Sequence, residues 1–336
     1  MNGEYIQLGH GSGGKMSQEL IASIMLPAFS NNILAELHDG ARITIHDTRL
    51  AFTTDSFIVK PLFFPGGDIG KLAVCGTVND LAAAGAVPQY LSAAFIIEEG
   101  FPIWQLQKIV QSLQAAAQEA GVVIVTGDTK VVEKGAADGL YINTAGIGKQ
   151  LDAVTIATAG VRPGQDIILS GYLGDHALAV MAERYGVMLP QTVSSDCAPL
   201  NGLVLDMLTA VPQISMLRDP TRGGVATALN EIAGQAKVGI LLEEAAIPLR
   251  PEVAAVCELL GFDPLYLANE GKMLAFVDAE FTRRLLSVMH RHRYGGDARV
   301  IGRVTGKNPG LVGLRTRLGG VRLLDMRAAD PLPRIC

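Results

Sequence analysis

The hydrophobic residues of the chain follow two patterns, one typical of amphipathic helices and one typical of strands. Between residues 104 and 120, apolar side chains fall on one stripe, with the spacing of an amphipathic helix. Short apolar runs at residues 122–125 and 140–147 are typical of strands. The first half of the chain is therefore predicted to alternate strands and helices.

A second series of elements begins after the glycine- and proline-containing segment 158–164. Its pattern predicts a helix after Gly174 and an amphipathic helix over residues 225–236. The predicted strands of this half cover residues 166–170, 238–242, 273–277, 311–315 and 321–324. We accordingly divide the chain into an N-terminal domain (1–155), a C-terminal α/β domain (156–306) and a terminal segment of short strands and mobile tail (307–336).

The tail reads Asp330-Pro331-Leu332-Pro333-Arg334-Ile335-Cys336. Its two prolines forbid a helix and favour an extended chain. At about 3.1 Å per residue in polyproline form, the tail could carry its last side chain roughly 15–20 Å from its anchor. Cys336 is therefore predicted to be an exposed thiol on a mobile arm, suited to accept a group in one place and present it in another.

Composition agrees with a compact α/β protein of two domains, since the chain has 336 residues, of which 49% are apolar and 18% charged. A net charge of -5 and the absence of a basic block make nucleic acid an unexpected partner. No window approaches the ~20 apolar residues that cross a bilayer, and no leader pattern is present. We expect a cytoplasmic protein without a membrane partner.

The four cysteines are far apart and form no C-x-x-C pair, so neither a zinc site nor a disulfide framework is predicted. Cys75 and Cys257 lie in apolar helical stretches and are predicted to be buried thiols. The terminal Cys336 is the cysteine with a candidate chemical role.

The glycine loop at residues 9–15 offers bare backbone amides and a lysine to a phosphate. It matches a dinucleotide-binding pattern and nearly a P-loop, but Met16 replaces the required Ser or Thr, and only a short run precedes it. A flexible glycine-rich arm is the alternative. The residues assigned to phosphate in this loop are Gly11, Gly13, Gly14 and Lys15.

Acidic residues interrupt apolar segments of the first half. Asn79 and Asp80 stand in an almost wholly apolar helix at residues 72–85, and the small neighbours of Asp80 leave room for an ion. Asp55 and Asp128 each follow an apolar strand, where a turn role is the alternative. Oxygen ligands without a His/Cys cluster suit magnesium bound to nucleotide phosphates, so Asp55, Asp80 and Asp128 are predicted metal ligands. Capping or pairing with an arginine is the alternative for Asp80.

Polar islands also punctuate the second half. In Asp219-Pro220-Thr221-Arg222, the arginine and the following helix start offer positive potential to an anion, although a simple helix start is equally compatible. Gly174-Asp175-His176 and Asn269-Glu270-Gly271-Lys272 are further islands beside apolar segments.

Together these motifs resemble, over the whole chain, the HypE family of carbamoyl dehydratases in nickel-iron hydrogenase maturation. More distantly the chain is similar to the aminoimidazole ribonucleotide synthetase, or PurM-like, superfamily. That likeness implies a two-domain α/β fold, with an N-terminal domain that dimerises through its strands and a C-terminal domain with a mixed sheet. The resemblance rests on residues 10–14, 59–68, 76–80, 126–132, 219–222, 269–271 and the ending Pro333-Arg334-Ile335-Cys336.

The resemblance implies that Cys336 receives a carbamoyl group from a HypF-type carbamoyltransferase and that ATP, with Mg²⁺, drives its dehydration to S-cyanocysteine. Cyanide would then pass to iron on the HypC–HypD complex. Selenophosphate synthetase activity is not expected, because Ser12 and Gly14 occupy the loop where that enzyme carries cysteine or selenocysteine.

Within this scheme Asp55, Asp80 and Asp128 are assigned to magnesium and phosphate, with Asn79 nearby. Asp219 and Arg222 are assigned to the phosphate side of the cleft. The candidate bases for the amide nitrogen are Lys130 and Glu270, and a neutral lysine requires a pKa lowered by desolvation. A non-catalytic scaffold and a small-molecule kinase are the competing hypotheses.

Overall fold

The computed structural model describes residues 5–11, 14–29, 31–186, 193–328, 332 and 334–336. Two sheets, one in each half of the described chain, carry the architecture. The strands of the first half are β1 (Ala41–Ile45), β2 (Thr48–Phe57), β3 (Phe63–Phe64), β4 (Gly67–Asp68), β5 (Ala86–Glu98), β6 (Val123–Val132) and β7 (Leu140–Gln150). Its helices are α1 (Gly14–Leu20), α2 (Leu26–Ala28), α3 (Ile69–Ala83) and α4 (Ile103–Ala120).

The first sheet has the order β1-β2-β7-β5-β6, with β3 and β4 paired separately as a short hairpin. Strands β5 and β6 are parallel and are joined through α4, whereas the other pairs of this sheet are antiparallel. Helices α3 and α4 pack against each other, and α3 lies against β2, β5 and β7. The opposite face of the sheet keeps exposed apolar side chains, among them Phe52, Tyr90 and Ile147.

The two helices begin and end at recognisable signals. Asp68 caps α3 by accepting hydrogen bonds from the backbone N–H groups of Gly70 (2.8 Å) and Lys71 (3.0 Å). Helix α4 ends at Gly121, whose left-handed φ of 70° suits a residue without a Cβ. Its buried stripe, which includes Ile109 and Leu113, faces the core as the apolar spacing predicts.

The second half contains a mixed sheet in the order β14-β13-β10-β12-β8-β11-β9, in which β10 and β13 are parallel and the other pairs antiparallel. Its strands are β8 (Gln165–Leu169), β9 (Met216–Arg218), β10 (Gly239–Glu243), β11 (Leu274–Asp278), β12 (Arg299–Thr305), β13 (Val312–Arg315) and β14 (Val321–Leu323). Its helices are α5 (Asp175–Tyr185), α6 (Asn201–Ala210), α7 (Gly224–Ala236), α8 (Pro251–Leu260) and α9 (Ala279–Met289). The predicted α/β class and mixed second sheet are confirmed.

Helix α3 joins the two halves, because it also packs against α6 and β9. The amide of Asn79 in α3 donates to the carbonyl oxygens of Ala198 (3.1 Å) and Glu270 (3.3 Å), and its oxygen accepts from Leu200 N–H (2.7 Å). Asn79 therefore ties α3 to two loops of the second half. In the part of the chain described, no helix combines the length and apolar character needed to span a membrane.

Candidate active site

An acidic cleft of about 210 Å³ lies at the boundary between the two sheets. Its first-half residues come from the segment before β1, from β2 and from α3, while the second half contributes the turn before α7 and the loop after residue 268. The lining residues are Asp39, Thr53, Thr54, Asp55, Phe57, Gly76, Asp80, Arg218, Asp219, Thr221, Arg222, Glu270 and Cys336. We call this cavity the acidic cleft.

Three carboxylates meet in the acidic cleft. Asp39, Asp80 and Asp219 each place one oxygen within 4.8 Å of the others. Thr53 donates its hydroxyl to Asp80 at 3.0 Å, and Arg218 pairs with Asp39 at 2.6 Å. Two of these acids, Asp80 and Asp219, were predicted from the sequence, whereas Asp39 was not.

Burial and mutual repulsion disfavour the charged form of these acids. Burial raises the pKa of Asp39 from 3.8 to about 7 and that of Asp219 to about 6, and it raises the pKa of Asp80 well above its ordinary value. Neighbouring carboxylates raise all three further, although Arg218 opposes this at Asp39 and Asp219. One oxygen of Asp39 has no hydrogen-bond partner among the described residues. Such a set of hard oxygen atoms fits a magnesium ion.

Asp55 stands between the acidic cleft and a second cavity of about 300 Å³ that opens beside it. A Cβ at Gly76 would lie 2.9 Å from the Phe57 ring and 3.8 Å from an Asp55 oxygen, so the bare backbone of α3 keeps this passage open. The second cavity, which we call the outer cavity, is lined by Gly11, Asp55, Ser56, Ile58, Arg222, Leu332, Arg334, Ile335 and Cys336.

The chain's last residue closes the boundary between these cavities. Cys336 is only 6% exposed, so the prediction of an exposed thiol is wrong for this structure. The tail runs beside the segment after β2, because Ile58 N–H donates to Cys336 O and Lys60 N–H donates to Arg334 O, each at 3.2 Å. Apolar burial explains the docking, since Leu332 and Ile335 are 5% and 2% exposed.

The Cys336 thiol is held in a mixed electrostatic environment. Burial raises its pKa to about 11, and Glu270 contributes in the same direction. The Arg222 guanidinium opposes this shift, and its Nη1 atom lies 3.1 Å from Cys336 Sγ. At neutral pH the docked residue is therefore a thiol and not a thiolate.

Glu270 lies at the wall of the acidic cleft that the second half supplies. It is 3% exposed, its Oε1 atom has no hydrogen-bond partner among the described residues, and burial raises its pKa well above the ordinary value. Its backbone is fixed, because Glu270 N–H donates to Asp196 at 3.0 Å. Asn79, by contrast, uses its amide to join the two halves, so its assignment to phosphate stays a prediction.

Asp128 and Lys130 lie on β6, the edge strand of the first sheet. They form an ion pair of 2.8 Å with side chains that are 61% and 69% exposed. Strands β7 and β5 separate β6 from β2 of the acidic cleft, which corresponds to about 14 Å at the usual strand spacing. Within one chain neither residue lines the cleft, and their catalytic and metal roles stay predictions.

The glycine loop contributes less to the acidic cleft than its sequence suggests. Gly11 lines the outer cavity, and Gly13 lies outside the described residues. Gly14 has a φ of 77°, and a Cβ there would lie 2.5 Å from Arg327 O. Lys15 N–H donates to the same carbonyl at 3.1 Å. The phosphate-binding assignments in this loop therefore remain predictions.

The acid that sequence reasoning missed is Asp39, together with the Arg218 that pairs with it. Asp39 precedes β1 and follows no apolar run of the kind that marked the other acids. The available signal was the Asp39-Gly40 pair at the entrance to a strand. A turn role is the usual explanation for such a pair.

Comparison with known domain families identifies the class of protein to which the chain belongs. Residues 37–150 match the N-terminal domain of AIR synthase related proteins, and residues 162–313 match the C-terminal domain of the same family. With the two sheets and the cleft between them, these matches define the chain as an AIR synthase related protein.

Comparison with full-length relatives identifies the family within this class of proteins. The carbamoyl dehydratase HypE of Rhizobium leguminosarum bv. viciae is 50% identical over 332 residues, which cover 98% of this chain and 95% of the relative. A solved structure of the hydrogenase maturation protein HypE in complex with ATP is 47% identical, with a TM-score of 0.84 over 99% of this chain and 100% of the other. A structure of a HypE–HypF complex is also 47% identical, with a TM-score of 0.87 over 92% and 99%. The chain belongs to the HypE carbamoyl dehydratase family.

Proposed function

We propose that this protein uses ATP to dehydrate a carbamoyl group carried on Cys336, which yields S-cyanocysteine for hydrogenase maturation. The observation that carries the proposal is the position of Cys336 Sγ, which lines the acidic cleft and lies 3.1 Å from Arg222. The family relatives are named carbamoyl dehydratases, and one is a complex with ATP. The docked thiol supports a reaction on the protein's own residue.

The reaction balances without a further reagent. The carbamoyl oxygen takes the γ-phosphoryl group of ATP, and the C–O bond then breaks with loss of phosphate. The nitrogen loses two protons as the carbon–nitrogen triple bond forms, while the bond from carbon to Cys336 Sγ is kept. The products are S-cyanocysteine, ADP and phosphate, and of the two protons one passes to Glu270 and the other leaves with the phosphate.

The chain's own residues have defined tasks in this scheme. Arg222 contacts the sulfur and offers its remaining N–H groups to the developing negative charge on oxygen and phosphate. Glu270, buried at the same wall, accepts a proton from the carbamoyl nitrogen when it is ionised and holds that proton after transfer. Removal of bulk water from this site follows from the burial of Ile335 and Cys336.

We assign the magnesium ligands of one chain to Asp39, Asp80 and Asp219, with Asp55 adjacent. When bound, magnesium neutralises phosphate charge and orients the γ-phosphoryl group. Arg218 keeps Asp39 in place through their 2.6 Å ion pair.

A homodimer is part of the proposal. The uncovered face of the first sheet exposes Phe52 by 40%, Tyr90 by 50% and Ile96 by 46%. Apolar side chains on an uncovered sheet face favour association with a second copy. Asp128 and Lys130 lie on this side of the molecule and would act on a nucleotide from the edge of the partner's cleft. Desolvation by the partner would also supply the environment that a neutral Lys130 requires.

The proposed partners are a HypF-type carbamoyltransferase as donor and the HypC–HypD complex as acceptor of cyanide, in the cytoplasm. A solved complex of HypE with HypF supports the first of these for this chain. The docked Cys336 is buried, so the tail must leave the cleft to receive the carbamoyl group.

The direct test is the intact mass of the protein after incubation with the carbamoyl donor system, with and without ATP. We expect one carbamoyl group to be added without ATP, and one water to be lost from that adduct when ATP is present. The Cys336→Ser variant serves as control and should gain no dehydrated adduct. If that variant still transfers phosphate from ATP to a free metabolite at the wild-type rate, the small-molecule kinase hypothesis is correct instead.

A further inference from the structure

Helix α5 holds the main chain of the docked tail. His176 Nε2 lies 2.8 Å from the carbonyl oxygen of Ile335, the residue beside Cys336. Arg184, two turns later on the same helix, donates to Arg334 O at 2.7 Å and to Lys60 O at 2.8 Å. Both side chains contact backbone atoms of the tail, so α5 fixes the path of the chain into the acidic cleft.

The hydrogen bonds of His176 define its tautomer. A carbonyl oxygen only accepts, so Nε2 must carry the proton that is donated to Ile335 O. Nδ1 then accepts from the Ser195 hydroxyl at 2.8 Å, and Ser195 Oγ accepts in turn from Cys197 N–H at 3.1 Å. This chain of hydrogen bonds links the tail to the loop that carries Asp196.

The described surroundings of His176 are closely packed while the tail is docked. The side chain is fully buried, and the ring of Phe64 packs edge-on against it with centroids 5.4 Å apart. Burial also lowers the pKa of His176, which agrees with a neutral ring that donates from one nitrogen and accepts at the other. When the tail leaves, the Nε2–H group loses the acceptor it has in the docked state, and an unmade hydrogen bond at a buried donor is unfavourable.

We propose that His176 is a positioning residue for the dehydration step: its Nε2–H group holds the Ile335 carbonyl and thereby keeps Cys336 Sγ in the acidic cleft. The catalytic part of this inference rests on the proposed function, whereas the hold on the tail does not. His176 contacts the backbone of Ile335 and not the reacting atoms of Cys336. In this proposal it acts by shifting the equilibrium between the docked and the released tail.

Two substitutions of His176 distinguish its contact with the tail from its contact with Ser195. In His176→Gln, the amide nitrogen reaches the position of Nε2 and retains a donor for Ile335 O. In His176→Asn, the shorter amide reaches the position of Nδ1, keeps the contact to Ser195 and loses the contact to the tail. The pair therefore compares the loss of the tail contact with the loss of the imidazole ring itself.

The first measurement is the rate at which iodoacetamide alkylates Cys336 in the full-length protein, followed by peptide mass spectrometry. Loss of one hydrogen bond predicts a rate about 3- to 10-fold higher in His176→Asn, because the released thiol is accessible and ionises more easily. His176→Gln should stay within about twofold of wild type on the same reasoning. The buried Cys75 and Cys257 are internal controls and should keep their wild-type rates.

The second measurement is the single-turnover conversion of the carbamoylated protein. His176→Asn should lower the rate constant for dehydration without changing the ATP concentration for half-maximal rate, and His176→Gln should restore it. If Asn and Gln variants alkylate alike, or if Cys75 and Cys257 become reactive together with Cys336, the positioning role is refuted. Alkylation remains decisive even if the wild-type protein forms no cyano adduct, in which case only the proposed function fails.

Discussion

Arg222 Nη1 donates to Cys336 Sγ across 3.1 Å, and this contact joins the turn before α7 to the end of the chain. Arg222 lines both the acidic cleft and the outer cavity, and Asp219 of the same turn belongs to the three-carboxylate cluster. One short turn thus brings together the sulfur, a guanidinium and a carboxylate of the proposed metal site. In the proposed reaction, the docked thiol therefore needs no long movement to reach these groups.

We predict that Arg222→Gln slows the formation of S-cyanocysteine about 10- to 100-fold, since hydrogen bonds to charged groups contribute about 1.5–3 kcal/mol. Carbamoylation of Cys336 should remain, because it takes place with the tail released. Single-turnover mass spectrometry measures both steps. The matched control is Arg315→Gln, which removes an exposed ion pair with Glu243 at the end of β13. Arg315 does not line the acidic cleft, so this variant should react as wild type. Equal rates for the two variants would contradict a role for Arg222.

We predict a pH-dependent stability that originates at Asp39. Its pKa is raised by burial from 3.8 to about 7, so between these values the folded protein holds a proton that the unfolded chain releases. The free energy of unfolding therefore falls as the pH rises through this window in the absence of divalent cations. Asp39→Asn should flatten the slope, and thermal unfolding at about pH 5 and about pH 7 measures the difference. A slope unchanged by the substitution would remove Asp39 as its source.

We predict that magnesium stabilises the protein more at about pH 8 than at about pH 5, because the ion competes with protons for the same carboxylates. Asp80→Asn should raise the magnesium concentration that gives the half-maximal rise in melting temperature by at least about tenfold. The exposed Asp128 offers the comparison. Without nucleotide, Asp128→Asn should respond to magnesium as wild type does. A loss equal to that of Asp80→Asn would place Asp128 in the metal site.

We predict that Glu270→Gln slows dehydration about 100-fold, the range expected for loss of a positioned proton acceptor. The side chain keeps its shape and its burial, so the melting temperature should change little or rise. Mass spectrometry should then show the carbamoyl adduct accumulating in the presence of ATP. Formation of S-cyanocysteine at the wild-type rate would exclude Glu270 as the proton acceptor.

Much of the fold was predictable because it depends on short-range patterns. The stripe of apolar residues between 104 and 120 predicted α4, and apolar runs predicted β8, β10 and β11 to within one residue. The polar residues that interrupt such runs, Asp80 and Asp55, indicated a site. Periodicity identifies these features because side chains of one element share a face whatever the rest of the chain does.

The rest of the site depends on contacts between distant parts of the chain. Asp39 and Asp219 are 180 positions apart in sequence, and no local pattern reports that their oxygens meet. The sequence also left open that Asn79 holds the two halves together and that Asp128 stands three strands away from β2.

The sequence by itself determined the two α/β halves, the acidic and glycine-rich motifs and a cysteine at the end of an extended tail. Only the tertiary structure decided that this cysteine is buried against Arg222, because the tail is stabilised by packing of Leu332 and Ile335 and by hydrogen bonds from His176 and Arg184. Local propensity sets the shape of a segment, whereas its resting place is set by the surface that other elements assemble.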